Sequence, residues 1–269
     1  MGSDGRRRAA SVAVGMALAV TGIIAFMGIG AAEDAGALPA EEIVRRADRQ
    51  RGLDGAHAFL ARIVPEREGD GTASDSVGAT RGMLVEVRSN GFEQQLVFVI
   101  EPNRGDVMLA TPEVVWLRPR RLHRLTRVPP DLRMFNGASV SDVTSIDVLG
   151  SYTATLDPTA SIEPDELRLA LVATKERMRY PRASYVVRRS DFRPLRIDFM
   201  TANGKVLKTL VYESFAAVLG RTVPTRLLVR DHVRNDGTVV VLSEFRHLSE
   251  VDPSMFLPDY LLSLPDVAS

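Results

Sequence analysis

Short apolar runs separated by frequent turn signals are the feature of this sequence that most restricts its fold. Asn90-Gly91, Asn203-Gly204 and Asp236-Gly237 each lie between two such runs. Asn-Gly and Asp-Gly pairs favour the tight turns that join neighbouring strands of a β-hairpin. Short strands joined in this way form an antiparallel meander, whereas βαβ units need a helix between strands. The sequence therefore predicts a mainly β protein of the α+β class.

The predicted strands follow one another along most of the chain. They lie at residues 59–64, 82–88, 92–101, 106–110, 114–117, 166–173, 183–189, 195–201, 206–212, 225–230 and 238–245. Several alternate between apolar and polar side chains, which predicts a curved sheet with one apolar and one solvated face. In the last strand, we predict that Val239, Val241 and Phe245 face one way. Glu244 and Arg246 are then predicted to face the other way.

One helix is predicted before the first strand, at residues 39–51. Pro39 suits a first helical turn, Glu41 and Glu42 lie at the positive end of the helix dipole, and Gly52 is a typical stop. The narrow apolar stripe of this helix indicates that it packs onto a larger structure.

A second segment without strand alternation interrupts the sheet at residues 129–150. It is interpreted as a long loop or a short helical segment. Because long loops inside compact domains are often lids, Met134 and Phe135 are the candidate lid residues.

The N-terminal segment differs in composition from everything that follows it. No residue from 9 to 32 is charged, Arg6-Arg7-Arg8 precede this run, and small residues follow it. The pattern predicts an export signal at residues 1–37, with an uncleaved membrane anchor as the alternative. Residues 38–269 are then a single domain outside the cytoplasm, and we expect it in the periplasm. Because the chain has no cysteine, its stability must come from a core and not from disulfides.

The charge balance and the missing motifs exclude several functions. The chain carries 34 basic and 34 acidic residues, which gives no reason to expect a nucleic-acid partner. Four separated histidines and the absence of cysteine predict no metal site and no cofactor. Asp231-His232 is either part of a triad with a serine or a polar pair at a strand end, and we favour the polar pair. We therefore predict no catalytic residues and no enzymatic activity.

A dense arginine cluster follows the only tryptophan, Trp116. Two interpretations are open: recognition of a lipid headgroup or a docking partner, or a solvated face of two strands joined at Pro119. The candidate docking residues are Arg118, Arg120, Arg121 and Arg124.

The order of several short motifs resembles the outer-membrane lipoprotein-sorting protein family, which is related in fold to the periplasmic carriers LolA and LolB. The matching stretches are Ala47-Asp48-Arg49-Gln50-Arg51-Gly52, Val115-Trp116-Leu117-Arg118-Pro119, Asp191-Phe192-Arg193-Pro194-Leu195-Arg196-Ile197, Asn203-Gly204-Lys205, Lys208-Thr209-Leu210, Pro224-Thr225, Asp231-His232, Phe256 and Tyr260-Leu261. Residues 134–143 depart from the family, because Val140 and Val143 stand where relatives carry aromatics. A different cargo or partner is the expected consequence.

The resemblance implies a fold and a function. The expected fold is an unclosed antiparallel β-barrel of about eleven strands, with helices covering its concave face. The expected function is a periplasmic carrier that shields the acyl chains of a lipid or lipoprotein in an apolar cavity. Burying one CH₂ group contributes ~0.8 kcal/mol, so an acyl chain that leaves a membrane needs such a cavity. The expected cavity residues are Leu96, Phe98, Met108, Trp116, Leu169, Leu171, Tyr185, Ile197, Phe199, Leu210 and Phe245.

A second function stays open at this point. The chain would then be a non-enzymatic periplasmic adaptor of a lipid-exporting inner-membrane transporter, with a filled core and exposed apolar or arginine-rich patches. In either case we expect a monomer. The expected partners are acyl chains, an inner-membrane transporter and an outer-membrane acceptor.

Overall fold

The structure is a computed structural model that describes most of the chain after residue 37. The described residues are 38–53, 55–66, 82–90, 95–101, 104–111, 114–129, 132–135, 138–139, 148–157, 163–176, 178–249 and 251–265. All of them belong to one compact unit, residues 33–269. The predicted export signal at residues 1–37 lies outside the described residues.

Strands account for most of the described residues. They are β1 His57–Pro65, β2 Met83–Ser89, β3 Gln95–Glu101, β4 Val107–Ala110, β5 Val115–Arg118, β6 Thr126–Val128, β7 Arg133–Phe135, β8 Ala138–Ser139, β9 Tyr152–Leu156, β10 Glu166–Ala173, β11 Arg182–Arg188, β12 Pro194–Met200, β13 Val206–Val218, β14 Arg221–Asp231 and β15 Asp236–His247. The helices are α1 Ala40–Arg49, α2 Val148–Ser151, a 3₁₀ turn Pro253–Phe256 and α3 Pro258–Ser263.

Thirteen of these strands form one antiparallel sheet. Their order is β6-β5-β4-β3-β2-β1-β15-β14-β13-β12-β11-β10-β9. Strands β1 to β6 pair in chain order, and so do strands β9 to β15; the two series are joined where the first strand, β1, pairs with the last, β15. Because β6 and β9 end the order without pairing to each other, the sheet is unclosed. The predicted fold class is therefore confirmed; the count is thirteen and not about eleven because the short β6 and β9 escaped prediction.

The interruption at residues 129–150 contains more regular structure than expected. Strands β7 and β8 form a separate two-stranded sheet, and helix α2 follows. The prediction of a short helical segment is met by α2, whereas the β7–β8 pair was not anticipated. Residues 136–137 and 140–147 of this interruption lie outside the described part of the chain.

One face of the large sheet, here called the inner face, carries two apolar clusters. The first cluster contains Ile43, Val44 and Ala47 of α1, Val148 of α2, and sheet residues Tyr152, Ala154, Leu167, Leu169, Leu171, Ala183, Tyr185, Val187, Ile197, Phe199, Leu210, Tyr212 and Val229. The second cluster contains Phe59, Ala61, Ile63, Met83, Val85, Val87, Val97, Val99, Met108, Ala110, Val115, Val128 and Val240.

Register shows that these two clusters share one face. Tyr212 of the first cluster pairs with Leu227, Leu227 pairs with Val240, and Val240 pairs with Ile63 of the second. Residues directly opposite each other in neighbouring strands point to the same side of a sheet. The apolar inner face therefore continues from β9 across the sheet to β6.

A third cluster lies on the opposite face, here called the outer face. It joins Val107, Leu109, Met255, Phe256 and Leu261, and Phe98 and Trp116 pack against it. Along β4 these residues alternate with members of the second cluster, and successive side chains of a strand point to opposite faces. The C-terminal 3₁₀ turn and α3 thus cover the outer face of β3, β4 and β5.

A β-bulge changes the predicted facing of the last strand. Glu244 has a φ of 52°, and the pairing of β1 with β15 shifts between Ala58 and Leu60. The extra residue brings Phe245 to the side of Val240, where it packs on the second cluster. The prediction that Phe245 shares a face with Val239 is therefore wrong, because a bulge reverses the alternation after it.

Candidate functional site

Helix α1 covers the inner face over the first cluster. Glu41 and Glu42 lie in its first turn, and the Nε of Arg46 donates to the Oε1 of Glu42 at 2.9 Å, which supports the helix from its outer side. Ile43 and Val44 point the other way and are fully buried. The helix packs against β9 and α2, so a short helix forms a cover over a broad apolar surface.

Most of the predicted cavity residues meet on this surface. Six of them belong to the first cluster: Leu169, Leu171, Tyr185, Ile197, Phe199 and Leu210. Met108 and Phe245 belong to the second cluster on the same face. These eight residues therefore lie on the same face of the sheet, the inner face.

The remaining predicted cavity residues do not join them. Phe98 and Trp116 pack in the third cluster with the C-terminal helix, on the outer face. The side chains of Leu96 and of the lid candidates Met134 and Phe135 lie outside the described residues, although the backbone of the last two forms β7.

A buried polar group beneath α1 was missed by the sequence reasoning. Asp48 lies on the buried side of α1, and the Nη1 of Arg51 donates to its Oδ1 at 2.9 Å. Two tyrosines of the first cluster, Tyr185 and Tyr212, lie against this ion pair. An aspartate within the apolar stripe of a helix was the available signal, because carboxylates are rarely buried unless they are paired.

The ionisation of this group follows from its burial. Burial raises the pKa of Tyr185 well above its ordinary value, and the neighbouring Tyr212 and Asp48 add to this effect. Burial also raises the pKa of Tyr212, against the opposing effect of Arg51. Burial acts to lower the pKa of Arg51, but Tyr212 and Asp48 raise it overall. The tyrosines are therefore neutral and Arg51 is charged at neutral pH.

The Tyr185 hydroxyl is a distinctive feature of this group. Its side chain is fully buried, and its oxygen has no hydrogen-bond partner within the described residues. A buried hydroxyl without a partner is unfavourable by about 1–3 kcal/mol. Within the described part of the chain, the inner face therefore buries a hydroxyl group that makes no hydrogen bond.

The β7–β8 pair is attached to the inner face through a second polar contact. Lys208 pairs with Phe199 in the sheet, and its Nζ donates to the Oγ of Ser139 at 3.3 Å. Both side chains are buried. The segment predicted as a lid is thus fixed to β13 by a lysine at the edge of the first cluster.

The predicted docking arginines divide into two kinds. Arg118 is 1% exposed, and its Nη2 donates to the carbonyl oxygen of Leu264 at 2.9 Å, just beyond α3. It stabilises the C-terminal helix, because a cation at the C-terminal end of a helix is favourable, and this replaces the predicted docking role. Arg120 is half-buried, with its backbone N–H donating to Asp106, whereas Arg121 and Arg124 are exposed.

The Asp231-His232 pair takes the favoured structural role. The Oδ1 of Asp231 accepts from the backbone N–H groups of Val233 at 3.0 Å and Arg234 at 3.1 Å, which fixes the turn after β14. The Nε2 of His232 lies 2.8 Å from the Oγ1 of Thr209 on the neighbouring strand. The pair therefore stabilises the end of a strand.

Two further observations apply to the described part of the chain. In the ranges given above, no helix is long and apolar enough to cross a membrane. Among the same residues, no three histidine, aspartate or glutamate side chains are grouped so that they would hold a metal ion.

Solved structures with this arrangement of strands come from several bacteria. A LolA superfamily protein from Nitrosomonas europaea is 24% identical, with 83% of this chain and 100% of that chain covered and a TM-score of 0.69. A Vibrio parahaemolyticus domain described as an outer membrane lipoprotein-sorting protein is 15% identical over 83% and 98%, with a TM-score of 0.67. A DUF1329 family protein from Desulfovibrio piger is 17% identical over 83% and 99%, with a TM-score of 0.65.

These similarities establish the fold. At these identities they carry no information on ligand or partner. Comparison with curated proteins gave no match. Residues 91–263 match the model of a protein family described as "Uncharacterized protein". Because this match spans more than half of the chain, the chain belongs to that family, and its fold is that of the LolA superfamily.

Proposed function

We propose that the protein is a periplasmic carrier that holds the acyl chains of a lipid or lipoprotein against the inner face of its sheet. The observation that supports this proposal is the continuity of the apolar inner face from β9 to β6, with α1 as its cover. An apolar face of an antiparallel sheet packs against something, and here that face extends across thirteen strands.

Acyl binding requires α1 to move, because the first cluster is closed in this structure. Ile43, Val44 and Ala47 are fully buried under the helix. Exposing a valine or isoleucine side chain costs about 1.5–3 kcal/mol, whereas an acyl chain contributes ~0.8 kcal/mol for each CH₂ it buries. An acyl chain of ordinary length therefore offsets the displacement of this short helix.

The N-terminal segment and the relatives support the location. An uncharged run after Arg6-Arg7-Arg8 is typical of an export signal. The Vibrio parahaemolyticus relative is described as an outer membrane lipoprotein-sorting protein. We propose that the signal is cleaved and that the monomeric carrier receives cargo from an inner-membrane transporter and delivers it to an outer-membrane acceptor. No catalytic step is proposed.

One observation favours a second candidate function, that of an adaptor for an inner-membrane lipid exporter. Leu122 is 43% exposed in the loop that also carries Arg121 and Arg124. An exposed leucine among arginines is suited to contact a partner protein. In this alternative the closed first cluster is an ordinary core, and α1 does not move.

Lipid that co-purifies with the protein distinguishes these functions. The wild-type protein would be isolated from its own cell envelope, studied by native mass spectrometry and then extracted with organic solvent. The carrier proposal expects an acylated adduct and saturable uptake of a fluorescent fatty acid. The matched variants are Phe199→Ser on the inner face and Val241→Ser on the outer face, both checked for folding by circular dichroism.

The two variants separate a specific site from a general loss of stability. The carrier proposal expects Phe199→Ser to lose the adduct and Val241→Ser to keep it. A wild-type protein at its bare mass that takes up no fatty acid overturns the carrier proposal. If an inner-membrane transporter then co-purifies with this bare protein, the adaptor is the function.

A further inference from the structure

A pocket of about 420 Å³ opens at the C-terminal end of α1, at the edge of the first cluster, against which its lining residue Phe192 packs. Three chain segments form it: the last turn of α1 with Gln50, the β11–β12 turn with Phe192, and the start of β14 with Gly220, Arg221 and Thr222. Its volume lies within the range of about 300–1,000 Å³ that is common for small-molecule sites. The pocket is therefore large enough for a small ligand or the headgroup of a larger one.

The lining of this pocket is strongly basic. Arg46, Arg49 and Arg221 all line it, and no lining residue is acidic. Arg46 is paired with Glu42 on the outer side of α1. Arg49 is exposed, and the ion pairs of the described residues do not include it. The pocket thus has an excess of positive charge.

The carboxylate of the turn that contributes Phe192 does not neutralise this charge. Asp191 precedes Phe192, but both of its oxygens accept from Arg188, at 2.9 and 2.7 Å. Although burial acts to raise it, the pKa of Asp191 is lowered overall by its hydrogen bonds to Arg188 and Arg193. Its backbone oxygen accepts from the side-chain amide of Gln50. Asp191 is therefore ionised but engaged with its own turn.

Two of the three basic groups in the pocket, Arg46 and Arg221, are held in place before any ligand arrives. The guanidinium of Arg46 lies over the ring of Phe192, 5.0 Å from its centre. Phe192 has a φ of 59°, a conformation that costs a non-glycine residue energy and is concentrated at functional sites. The Nη2 of Arg221 donates to the carbonyl oxygen of Arg49, which satisfies an acceptor at the negative end of the helix. A ligand therefore meets preorganised guanidinium groups at Arg46 and Arg221, whereas the exposed side chain of Arg49 is ordered on binding.

We propose that this pocket binds a phosphate group, with Arg49 and Arg221 as the principal contacts and Phe192 against the organic part of the ligand. The forked guanidinium group matches the oxygens of a phosphate, and a phosphate carries enough charge for more than one arginine. The Thr222 hydroxyl is a further donor on the same wall. The inference does not depend on the proposed carrier function, because its principal contacts are arginine side chains and not the apolar side chains of the inner face.

Calorimetric titration of the full chain, kept soluble in a non-ionic detergent, tests this inference. The ligands are inorganic phosphate and glycerol 3-phosphate. A titration of the same sulfate-free buffer without ligand is the blank. A vesicle flotation assay compares phosphatidylglycerol with phosphatidylcholine plus an equal charge of fatty acid. The variants are Arg49→Gln, the double variant with Arg221→Gln, and Arg45→Gln as control, because Arg45 lies on the same helix but outside the pocket lining.

Each outcome decides the proposal. Saturable binding of glycerol 3-phosphate that weakens at least about tenfold in the double variant, but not in Arg45→Gln, supports a soluble phosphate ester. If the protein binds phosphatidylglycerol vesicles but not glycerol 3-phosphate, and if this binding weakens in the double variant but not in Arg45→Gln, the phosphate is that of a lipid headgroup. Equal binding by wild type and double variant, or no saturable binding in any assay, overturns the proposal. Arg49→Gln alone changes an exposed side chain, so a loss of binding in that variant is not a folding defect.

Discussion

The guanidinium of Arg51 lies 2.9 Å from the carboxylate of Asp48, and both are enclosed between α1 and two tyrosines of the sheet. A buried pair of this kind loses much of its hydration, so its members depend on each other. The packing of α1 on the sheet is therefore expected to depend on this one ion pair.

Arg51→Met is expected to destabilise the protein by about 3–5 kcal/mol, because it leaves the Asp48 carboxylate buried without its cation. Urea unfolding followed by circular dichroism measures the change. The double variant Asp48→Leu/Arg51→Met is expected to regain most of the loss. The control is Arg45→Met, whose ion pair with Glu42 is at the surface and is expected to matter by less than about 1 kcal/mol. Equal effects of Arg51→Met and Arg45→Met would contradict this interpretation.

The protein is expected to lose stability as the pH rises from about 10 to about 12. Burial raises the pKa of Tyr152 from 10.0 to about 12, with a further contribution from Tyr180. In this window the unfolded chain loses the tyrosine proton while the folded protein keeps it, so unfolding is favoured as pH rises. This effect amounts to roughly 2–3 kcal/mol, since one pKa unit corresponds to about 1.4 kcal/mol.

Tyr152→Phe provides the matched test of this pH dependence. The variant loses the hydrogen bond from the Tyr152 hydroxyl to the carbonyl oxygen of Tyr180 (3.0 Å), at a cost of about 1 kcal/mol near neutral pH. Its stability is then expected to fall less steeply between pH 10 and 12 than that of the wild type, as measured by urea midpoints across this range. Parallel curves for the two proteins would show that Tyr152 is not responsible.

Arg118→Met is expected to loosen the C-terminal helix, because it removes the donor to Leu264 while keeping an apolar side chain of similar length. The expected loss is about 1–3 kcal/mol. Trp116 is the single tryptophan and packs in the third cluster, so its fluorescence reports the docking of α3. We expect a red shift in Arg118→Met and none in Arg120→Met. An unchanged spectrum in both would mean that Arg118 does not hold the helix.

Glu244→Gly is expected to leave stability unchanged or raise it by up to about 1 kcal/mol, because glycine adopts a positive φ without strain. Ser243→Gly, one residue earlier in the strand, is expected to destabilise by about 0.5–1 kcal/mol. Thermal unfolding of the two variants compares them directly. A larger loss for Glu244→Gly than for Ser243→Gly would show that β15 lacks this bulge in solution.

The sequence pattern was sufficient to predict where most strands lie, but it was not sufficient to predict to which face of the sheet some of their side chains point. Ile197 and Phe199 alternate with polar neighbours, so their position on the inner face was predictable. Residues Val107–Ala110 are buried on both sides because α3 covers the outer face. A strand that is buried on both sides has no alternation of apolar and polar residues. Its sequence therefore does not show which face of the sheet is the inner one, or on which face Trp116 of the next strand lies.

The buried polar groups were less predictable than the apolar ones. The position of Asp48 in the apolar stripe of α1 is a signal of burial, but spacing along one helix does not reveal that tyrosines from distant strands close over Asp48 and Arg51. Arg118 was grouped with its exposed neighbours for a similar reason, because its burial depends on a helix about 140 residues later in the chain. Contacts between remote segments decide such cases, and a single sequence contains no direct signal for them.

The pairing of β1 with β15 has a consequence for how the protein is made. Strands β1 to β6 and strands β9 to β15 are two meanders that can each form locally, yet the seam between them joins the first strand to the last. Bringing such distant segments together is slow, because the closing of long loops is entropically costly. During synthesis the N-terminal meander cannot complete its edge pairing until the last strand has been made, so β1 keeps an unpaired edge until then.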